Sequence, residues 1–465
     1  MTAEQLRNSI LQEAISGRLV PQDPNDEPAS ELLARIREEK ARLVKEGKLK
    51  KKDLVETPIT DEEKPFEIPS SWEWVRYQDI ADCALGKTKN PNQVEGELCQ
   101  YLCSINVYWD SVRLNVLKEM LFSDTDKQKY SVEKGDMLIC EGGDAGRSAI
   151  YEGNISPIYY QNALHRVRFY GGICTRFFLY QMELYKKTGL LTDHIKGETI
   201  QHFVSTKLLN LPIPLPPLAE QKRIVAKLEE LLPIVEQYGK AQKELDELNA
   251  ALPSRLRQSI LQEAISGTLV PQDENDEPVS SSAIIPEDDI PFEIPSTWTW
   301  VTMKDCAKII GGYAFPSASI KGDKGIRVIR ISDISEKGFV NKSVVRYNGS
   351  DNLEKFKVQP QDILIAMTGG TVGKSLFVKE MDEDMLLNQR VAIIRNNGQY
   401  APYLDMVVKS PHIKSFINDK KNSTNDNISM DDIKNFLVPL PPLAEQARII
   451  AKIEELFAEI DKLSK

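Results

Sequence analysis

This chain is a duplication. Leu6–Pro28 reads LRNSILQEAISGRLVPQDPNDEP and Leu256–Pro278 reads LRQSILQEAISGTLVPQDENDEP, so 20 of 23 positions are identical. PFEIPSSWEWV at Pro65–Val75 returns as PFEIPSTWTWV at Pro291–Val301. PLPPLAEQ at Pro214–Gln221 returns at Pro439–Gln446. The blocks keep their order, which is the mark of one structural unit used twice. Between them lie Trp72–Asn210 and Trp298–Phe436, two domain-sized stretches whose edges agree and whose middles do not. The shared blocks are expected to be frame, and the divergent stretches the variable tool.

The frame is helical. After PLPPLAEQ, apolar residues fall at Ile224, Leu228, Leu231, Val235 and Tyr238, and in the second copy at Ile449, Ile453, Leu456, Ile460 and Leu463. Steps of four and three make a heptad seam. The first seam resumes at Leu245 and Leu252 and runs into the LRQSILQEAISG block, with Gly267 as its stop. Unbroken, Leu218–Gly267 would span about 75 Å. Pro233, Gly239 and Pro253 are expected to bend or break it. The second seam ends at Lys465 without the following block, which stands instead at the N-terminus. The N-terminal helix is therefore expected to dock on the C-terminal one, and the two long helices to run antiparallel as a spacer.

The halves differ most at Ser30–Gly47, a helix expected to be capped by Ser30 and stopped by Gly47, followed by Lys48, Lys50, Lys51 and Lys52. A lysine run is either a solvated face or a phosphate-contacting arm. The divergent stretches alternate short strands with helical segments. GDMLICEGGDAGRSAIYEG and QDILIAMTGGTVGKSLFVKE each read as two strands around a glycine turn, and RFFLYQMELYKKTG and APYLDMVVKSPHIKSFI as helices. Each is expected to be a mixed α/β domain.

No catalytic constellation stands out. Thr368–Ser375 (TGGTVGKS) imitates a phosphate loop, but Thr368 replaces the leading glycine and LFVKE after it reads as strand, where a P-loop needs a helix. The matching turn has Glu141 and Arg147 in place of Thr368 and Lys374. A glycine turn is the plainer reading, and one that carries Arg147 or Lys374 to a phosphate or a base edge is the sharper one. The polar-Pro-Pro-aromatic motif of adenine methyl transfer is missing, since the Pro-Pro pairs precede Leu218 and Leu443. His165, His194, His202 and His412 share no ligand or catalytic spacing, and the six cysteines lack the paired spacing of a zinc site. A net charge of −10 excludes a uniformly basic DNA-binding surface, though not local basic faces. There is no long apolar run and no secretory start, so a cytoplasmic protein is expected.

PLPPLAEQ followed by RIVAKLEEL or RIIAKIEEL, with SILQEAISGxLVPQ as partner block and PFEIPS[ST]W before each divergent stretch, resembles the specificity subunit of Type I restriction–modification enzymes. The resemblance runs the whole length. It implies two pseudo-symmetric α/β target-recognition domains separated by two long antiparallel coiled-coil-like helices, each domain reading one half of a split sequence in double-stranded DNA. It also implies two methyltransferase (modification) subunits that carry S-adenosylmethionine, with two motor–nuclease (restriction) subunits able to join, and no catalysis or bound cofactor in this chain. The expected division is an N-terminal helical segment at 1–28, an insertion and basic linker at 29–64, recognition domains at 65–213 and 281–438, a helical spacer at 214–280 and a C-terminal helix at 439–465. Candidate DNA contacts are Gly143, Arg147, Gly370 and Lys374 in the turns, Arg166 and Arg390 (taken as equivalent, each preceding a valine), and Lys50 and Lys51. Arg166 and Arg390 are equally readable as salt-bridged framework. Candidate partner-subunit contacts are Ile10, Ile224, Leu228, Leu231, Val235, Ile260, Ile449, Ile453 and Leu456. Two other classes remain open: an NTPase built on the Thr368 loop, and a coiled-coil scaffold that binds no DNA.

Overall fold

The computed structural model describes residues 1–90, 92, 94–192, 202–280, 285–320, 324–421 and 427–463. His194 lies outside them. The chain divides into two compact units, Met1–Glu244 and Leu245–Lys465.

Each unit is built on a stem. In the first, Glu73–Arg76 pairs antiparallel with Pro212–Leu215. In the second, Thr299–Thr302 pairs with Leu437–Leu440. The divergent stretch thus leaves and rejoins the frame on neighbouring strands. That is why its two edges are the parts that repeat: they hold each other, whatever is grafted between them.

Beyond the stem, each unit carries a four-stranded antiparallel sheet of the same order. In the first unit it runs Ala81–Leu85, Leu164–Phe169, Met137–Cys140, Ser148–Ile150. In the second it runs Ala307–Gly311, Val391–Asn396, Ile363–Ala366, Ser375–Phe377. The first four residues of Leu164–Phe169 and of Val391–Asn396 are buried on both faces, as a central strand between two packed layers requires. A second sheet differs between the units, with four strands in the first and three in the second. A helix follows the central strand in each case, Thr175–Thr188 or Ala401–Lys409. Both units are mixed α/β, as expected.

The Glu-Gln that ends PLPPLAEQ in both copies locks the stem to the frame. Glu220 accepts from Trp72 Nε1 at 2.8 Å and from Gln22, while Glu445 accepts from Trp298 Nε1 at 2.9 Å and from Gln272 at 2.6 Å. Gln221 accepts the backbone N–H of Cys174, and Gln446 that of Tyr400, each at the start of the recognition helix. Arg223 pairs with Asp26 at 2.7 Å, and Arg448 with Asp276 at 2.6 Å. Gly17 and Gly267 end their helices at φ +74° and +77°. A Cβ at either would lie about 2.5 Å from the ring of Pro69 or Pro295, so the glycine is required twice over, by conformation and by room.

These contacts reframe the repeat. The SILQEAISG block belongs to the domain that follows it. Helix Ala3–Ile15 lies along the start of the long helix Leu218–Ser266, with Met1 O accepting from Tyr238 Oη at 3.0 Å and Gln22 reaching Glu220. The ends match in reverse order, so the two run antiparallel. The partner of the N-terminal helix is thus the helix that leaves its own domain, in place of the C-terminal helix expected for it. In the second unit the same block packs on Leu443–Leu463, through Arg257 and Asp461.

Leu218–Ser266 is one helix of 49 residues. Pro233, Gly239 and Pro253 do not end it. Each proline removes one backbone bond; Leu232 and Val235 bury on either side of Pro233, whereas the turns around Pro253 are exposed or half-buried. The inserted helix spans Ala29–Lys45 with Pro28 at its cap position, so Ser30 sits inside the first turn. It is no free arm: Leu32, Leu33 and Ile36 join the main core of the unit, and Lys40 is buried with Nζ 2.8 Å from Gln78 O.

Candidate nucleic-acid interface

The four-stranded sheet ends in a loop edge built alike in both units. In the first, Cys140 N donates to Arg147 O at 2.8 Å, and the next residue, Glu141, donates to Ala163 O at 2.9 Å. In the second, Ala366 N donates to Lys374 O and Met367 N to Arg390 O, both at 2.9 Å. A third segment closes each edge: Asn162 N bonds Lys87 O, and Gln389 N bonds Tyr313 O. A fourth strand-like contact comes from Phe203, which donates to Glu141 O, and from Ile428, which donates to Met367 O. One edge therefore gathers residues 87–90, 141–147 and 161–163, and the other residues 313, 367–374 and 388–390.

This register corrects the expected equivalence of Arg166 and Arg390. Arg390 matches Ala163. The true pair is Arg168 and Arg395, which clamp the buried carboxylates of Asp136 and Asp362 at 2.7 Å. A valine after each arginine suggested the earlier pairing, but backbone hydrogen bonds, which fix strand register, place it three residues off.

The candidate cations then separate. Arg166 is 5% exposed, pairs with Asp82 and donates to Ser131 O at 3.1 Å. It is framework and is removed as a DNA contact. Arg147 is partly tied, donating to Ser104 O at 2.8 Å with its guanidinium over the Tyr108 ring. Lys374 and Arg390 are exposed, and their side chains have no partner among the described residues. They sit on the two segments that flank consecutive residues 366 and 367. Gly143 has φ +79°, and a Cβ at Gly143 or Gly370 would meet open space. Each turn is therefore open at these glycines, while Ala145 and Val372 anchor it in the core of its unit. Lys50 and Lys51 are exposed too, but the chain just after them is tied down, where Arg76 of the stem binds Thr57 O and Arg37 of the inserted helix binds Glu56.

Sequence reasoning missed Lys89 and Gln389. Both are exposed on the same edges. Nothing in their local sequence marks them, because they come to the edge by pairing with a strand far along the chain.

Two ionisable side chains beneath the first edge, Cys140 and His165, are buried. Burial pushes the Cys140 thiol up to about 11, so it is not a thiolate nucleophile at neutral pH. Burial also lowers His165, whose Nε2 lies 2.7 Å from Phe203 O. No cluster of metal-ligating side chains occurs among the described residues. The Thr368 loop is a short 3-10 turn, Gly369–Thr371, followed by strand Ser375–Phe377. Without a helix N-terminus it lacks the phosphate cradle of an NTPase.

The apolar residues expected to meet partner subunits are used internally. Ile224, Leu228 and Val235 lie in the core of the first unit and Ile449 and Ile453 in that of the second, each at most 6% exposed. Ile10, Leu231, Ile260 and Leu456 are half-buried. The buried members of the seam pack within their own unit. Ile234, Tyr238, Leu245, Leu248 and Leu252 are large apolar residues that the long helix leaves exposed.

The model of the Type I restriction modification DNA specificity domain matches twice, at residues 69–245 and 295–465. The chain is 30% identical to the Type I restriction enzyme EcoAI specificity subunit of Escherichia coli, over 99% of this chain and 90% of that one. It is 26% identical to the EcoEI specificity subunit of Escherichia coli over the same shares. Its fold is similar to the HsdS subunit from Thermoanaerobacter tengcongensis, with a TM-score of 0.50 at 18% identity over 86% of this chain and 93% of that one. No helix among the described residues is long and apolar enough to cross a membrane. Two matches of the family model, each seated on one stem and one loop edge, make this chain a member of the Type I restriction–modification DNA specificity family.

Proposed function

We propose that each unit reads one half of a split duplex-DNA target through its loop edge, and that the chain is the non-catalytic specificity component of an adenine-methylating complex. One observation carries this reading: the blocks that build each stem repeat, with Trp74–Val75 and Pro214–Leu215 returning as Trp300–Val301 and Pro439–Leu440, while the loop edges built on them do not. A frame that presents two different edges suits two different half-sites. In the second unit Lys374 and Arg390 provide free cations for phosphate or base contact. In the first, Lys89 and the less mobile Arg147 take that part. With a net charge of −10, attraction to DNA has to be concentrated at such edges.

The finer assignments follow from family membership. Two modification subunits would carry S-adenosylmethionine and methylate adenine, and two restriction subunits would join them to cut unmodified DNA. The unbroken helix Leu218–Ser266 would set the gap between half-sites. Sequencing methylated motifs in cells with and without this gene tests the reading. Loss of one bipartite motif supports it, and an unchanged methylome rejects it.

A further inference from the structure

The two units differ in how the recognition domain is tied to its frame helix. In the first, Arg176 at the start of helix Thr175–Thr188 bridges two carboxylates. One is Asp110, at the tip of the hairpin formed by Val107–Tyr108 and Ser111–Val112, and the other is Glu229 on the frame helix, at 3.3 Å. Arg7 adds a second tie, to Glu183 at 2.7 Å.

Matching hydrogen bonds fix the equivalent positions in the second unit. Cys174 and Tyr400 both bond the glutamine of the PLPPLAEQ motif, so Arg176 corresponds to Pro402. The hairpins share the bond from Arg113 N to Asn106 O, or Val340 N to Asp333 O, so Asp110 corresponds to Lys337. Glu229 corresponds to Glu454 along the repeated helix. The bridging arginine has thus become a proline and its hairpin anchor a lysine, while the frame carboxylate stays. Arg257, the counterpart of Arg7, turns to Asp461 instead.

What remains is a groove of about 790 Å³ whose lining includes Lys337, Pro402, Asp405 and Glu454. Its apolar lining includes Phe339, Phe377, Met406 and Phe457. Its charged side chains are four carboxylates and three ammoniums. One ammonium, Lys409, is already held by Asp405 at 2.6 Å. The other oxygen of Asp405, Oδ1, is buried without a hydrogen-bond partner, and the side chain as a whole is 14% exposed. Glu454 has no ion-pair partner among the described residues. A buried acceptor left open is costly unless something fills it.

We propose that this groove docks a protein partner that inserts an arginine, flanked by apolar side chains, into the space that Arg176 fills in the first unit. The duplicate unit supplies the template: a guanidinium satisfies the frame carboxylate there. A planar, multiply donating guanidinium also suits a site that offers two separate carboxylates and aromatic walls. Arginine beside apolar anchors is the common composition of a contact centre.

The test uses the full chain assembled with its co-expressed complex subunits, a partner set that rests on the reading above. A photo-crosslinking p-benzoylphenylalanine replaces Met406, and adducts are mapped by mass spectrometry. The expected adduct is a subunit peptide with an arginine next to apolar residues. Asp405→Asn and Glu454→Gln should each weaken the complex about tenfold or more. The pair Pro402→Arg with Lys337→Asp, which rebuilds the internal bridge, should abolish the adduct while leaving the melting curve of the free chain cooperative. A second copy of this chain in the adduct, a peptide lacking arginine, or crosslinking unmoved by the rebuilt bridge would each overturn the proposal. Mapping methylated motifs with the same preparations separates this from failure of the specificity reading, because that reading holds wherever the bipartite motif is still methylated.

Discussion

Trp72 and Glu220 stand 148 residues apart, and the indole N–H of the first donates to the carboxylate of the second at 2.8 Å. Trp298 and Glu445 repeat the bond at 2.9 Å. Both glutamates are buried, at 1% and 0% exposure. The bond closes the loop made by each divergent domain and fastens it to the frame. Glu220→Ala would leave the Trp72 indole and the Gln22 amide without their acceptor. We expect a loss of about 1–3 kcal/mol in urea unfolding of the first unit, and the same for Glu445→Ala in the second. Trp72→Phe, which removes the donor but keeps most of the ring, should cost less than the carboxylate deletion.

These carboxylates also set a pH dependence. Burial is the largest influence on both and raises them above the ordinary 4.5, against the lowering by the tryptophan and glutamine hydrogen bonds. The folded state therefore holds the proton more tightly than the unfolded state. The stability this contributes is complete below 4.5 and is lost as pH rises through the elevated folded values. Relative to Glu220→Gln/Glu445→Gln, the parent should lose stability from about pH 4.5 upward and level off once both groups ionise. Urea titrations of the two proteins across that range check the sign. A difference that grows in favour of the parent with rising pH would refute it.

Arginines 166 and 390 should behave oppositely. Arg166→Met removes the partner of Asp82, whose side chain is 39% exposed and so stays partly screened by water. The expected result is a loss of about 1–3 kcal/mol in stability without a change of methylated motif. Arg390→Ala should leave the melting curve alone. It should cost about 1–3 kcal/mol in DNA binding if the guanidinium reads a base. Lys374→Ala, at a phosphate, should lower the slope of log affinity against log salt by about one. Binding isotherms across a salt series, with melts alongside, separate these outcomes.

Exchange of residues 65–213 for the same region of a relative should alter one half-site and spare the other. Each stem closes on itself through Glu73–Arg76 and Pro212–Leu215 or their copies, so a graft disturbs only its own edge. Methylated-motif sequencing reads the result, and a change in both halves together would contradict two independent readers.

Four residues inserted beside Gly239 lengthen the helix by about 6 Å and turn its far end by about 40° past a full turn. Duplex DNA rises about 3.4 Å and twists about 35° per base pair. Bending absorbs a small error in rise more readily than a reader recovers from facing the wrong side of the duplex. The gap between half-sites should therefore grow by one base pair, or at most two, with both half-sites unchanged. An active complex with an unaltered gap would show that the helix does not measure it.

The sequence by itself determined the duplication, the frame, the mixed α/β class and the absence of a catalytic motif. All of these are local in kind: a repeat, a heptad, a strand–turn–strand and a missing glycine are visible within a few residues. The tertiary structure decided everything that depends on which distant segments meet. Register, set by backbone hydrogen bonds between strands far apart in the chain, moved the equivalence from Arg166 and Arg390 to Arg168 and Arg395. Burial turned the heptad residues Ile224 and Ile449 from a surface for partners into internal core, because an apolar face satisfied at home is not offered abroad. The bonds of Met1 with Tyr238 and of Gln22 with Glu220, on either side of SILQEAISG, showed that this block belongs to the domain it precedes. Packing of Leu232 and Val235 on either side carried one helix through Pro233, whose local preference is to stop it.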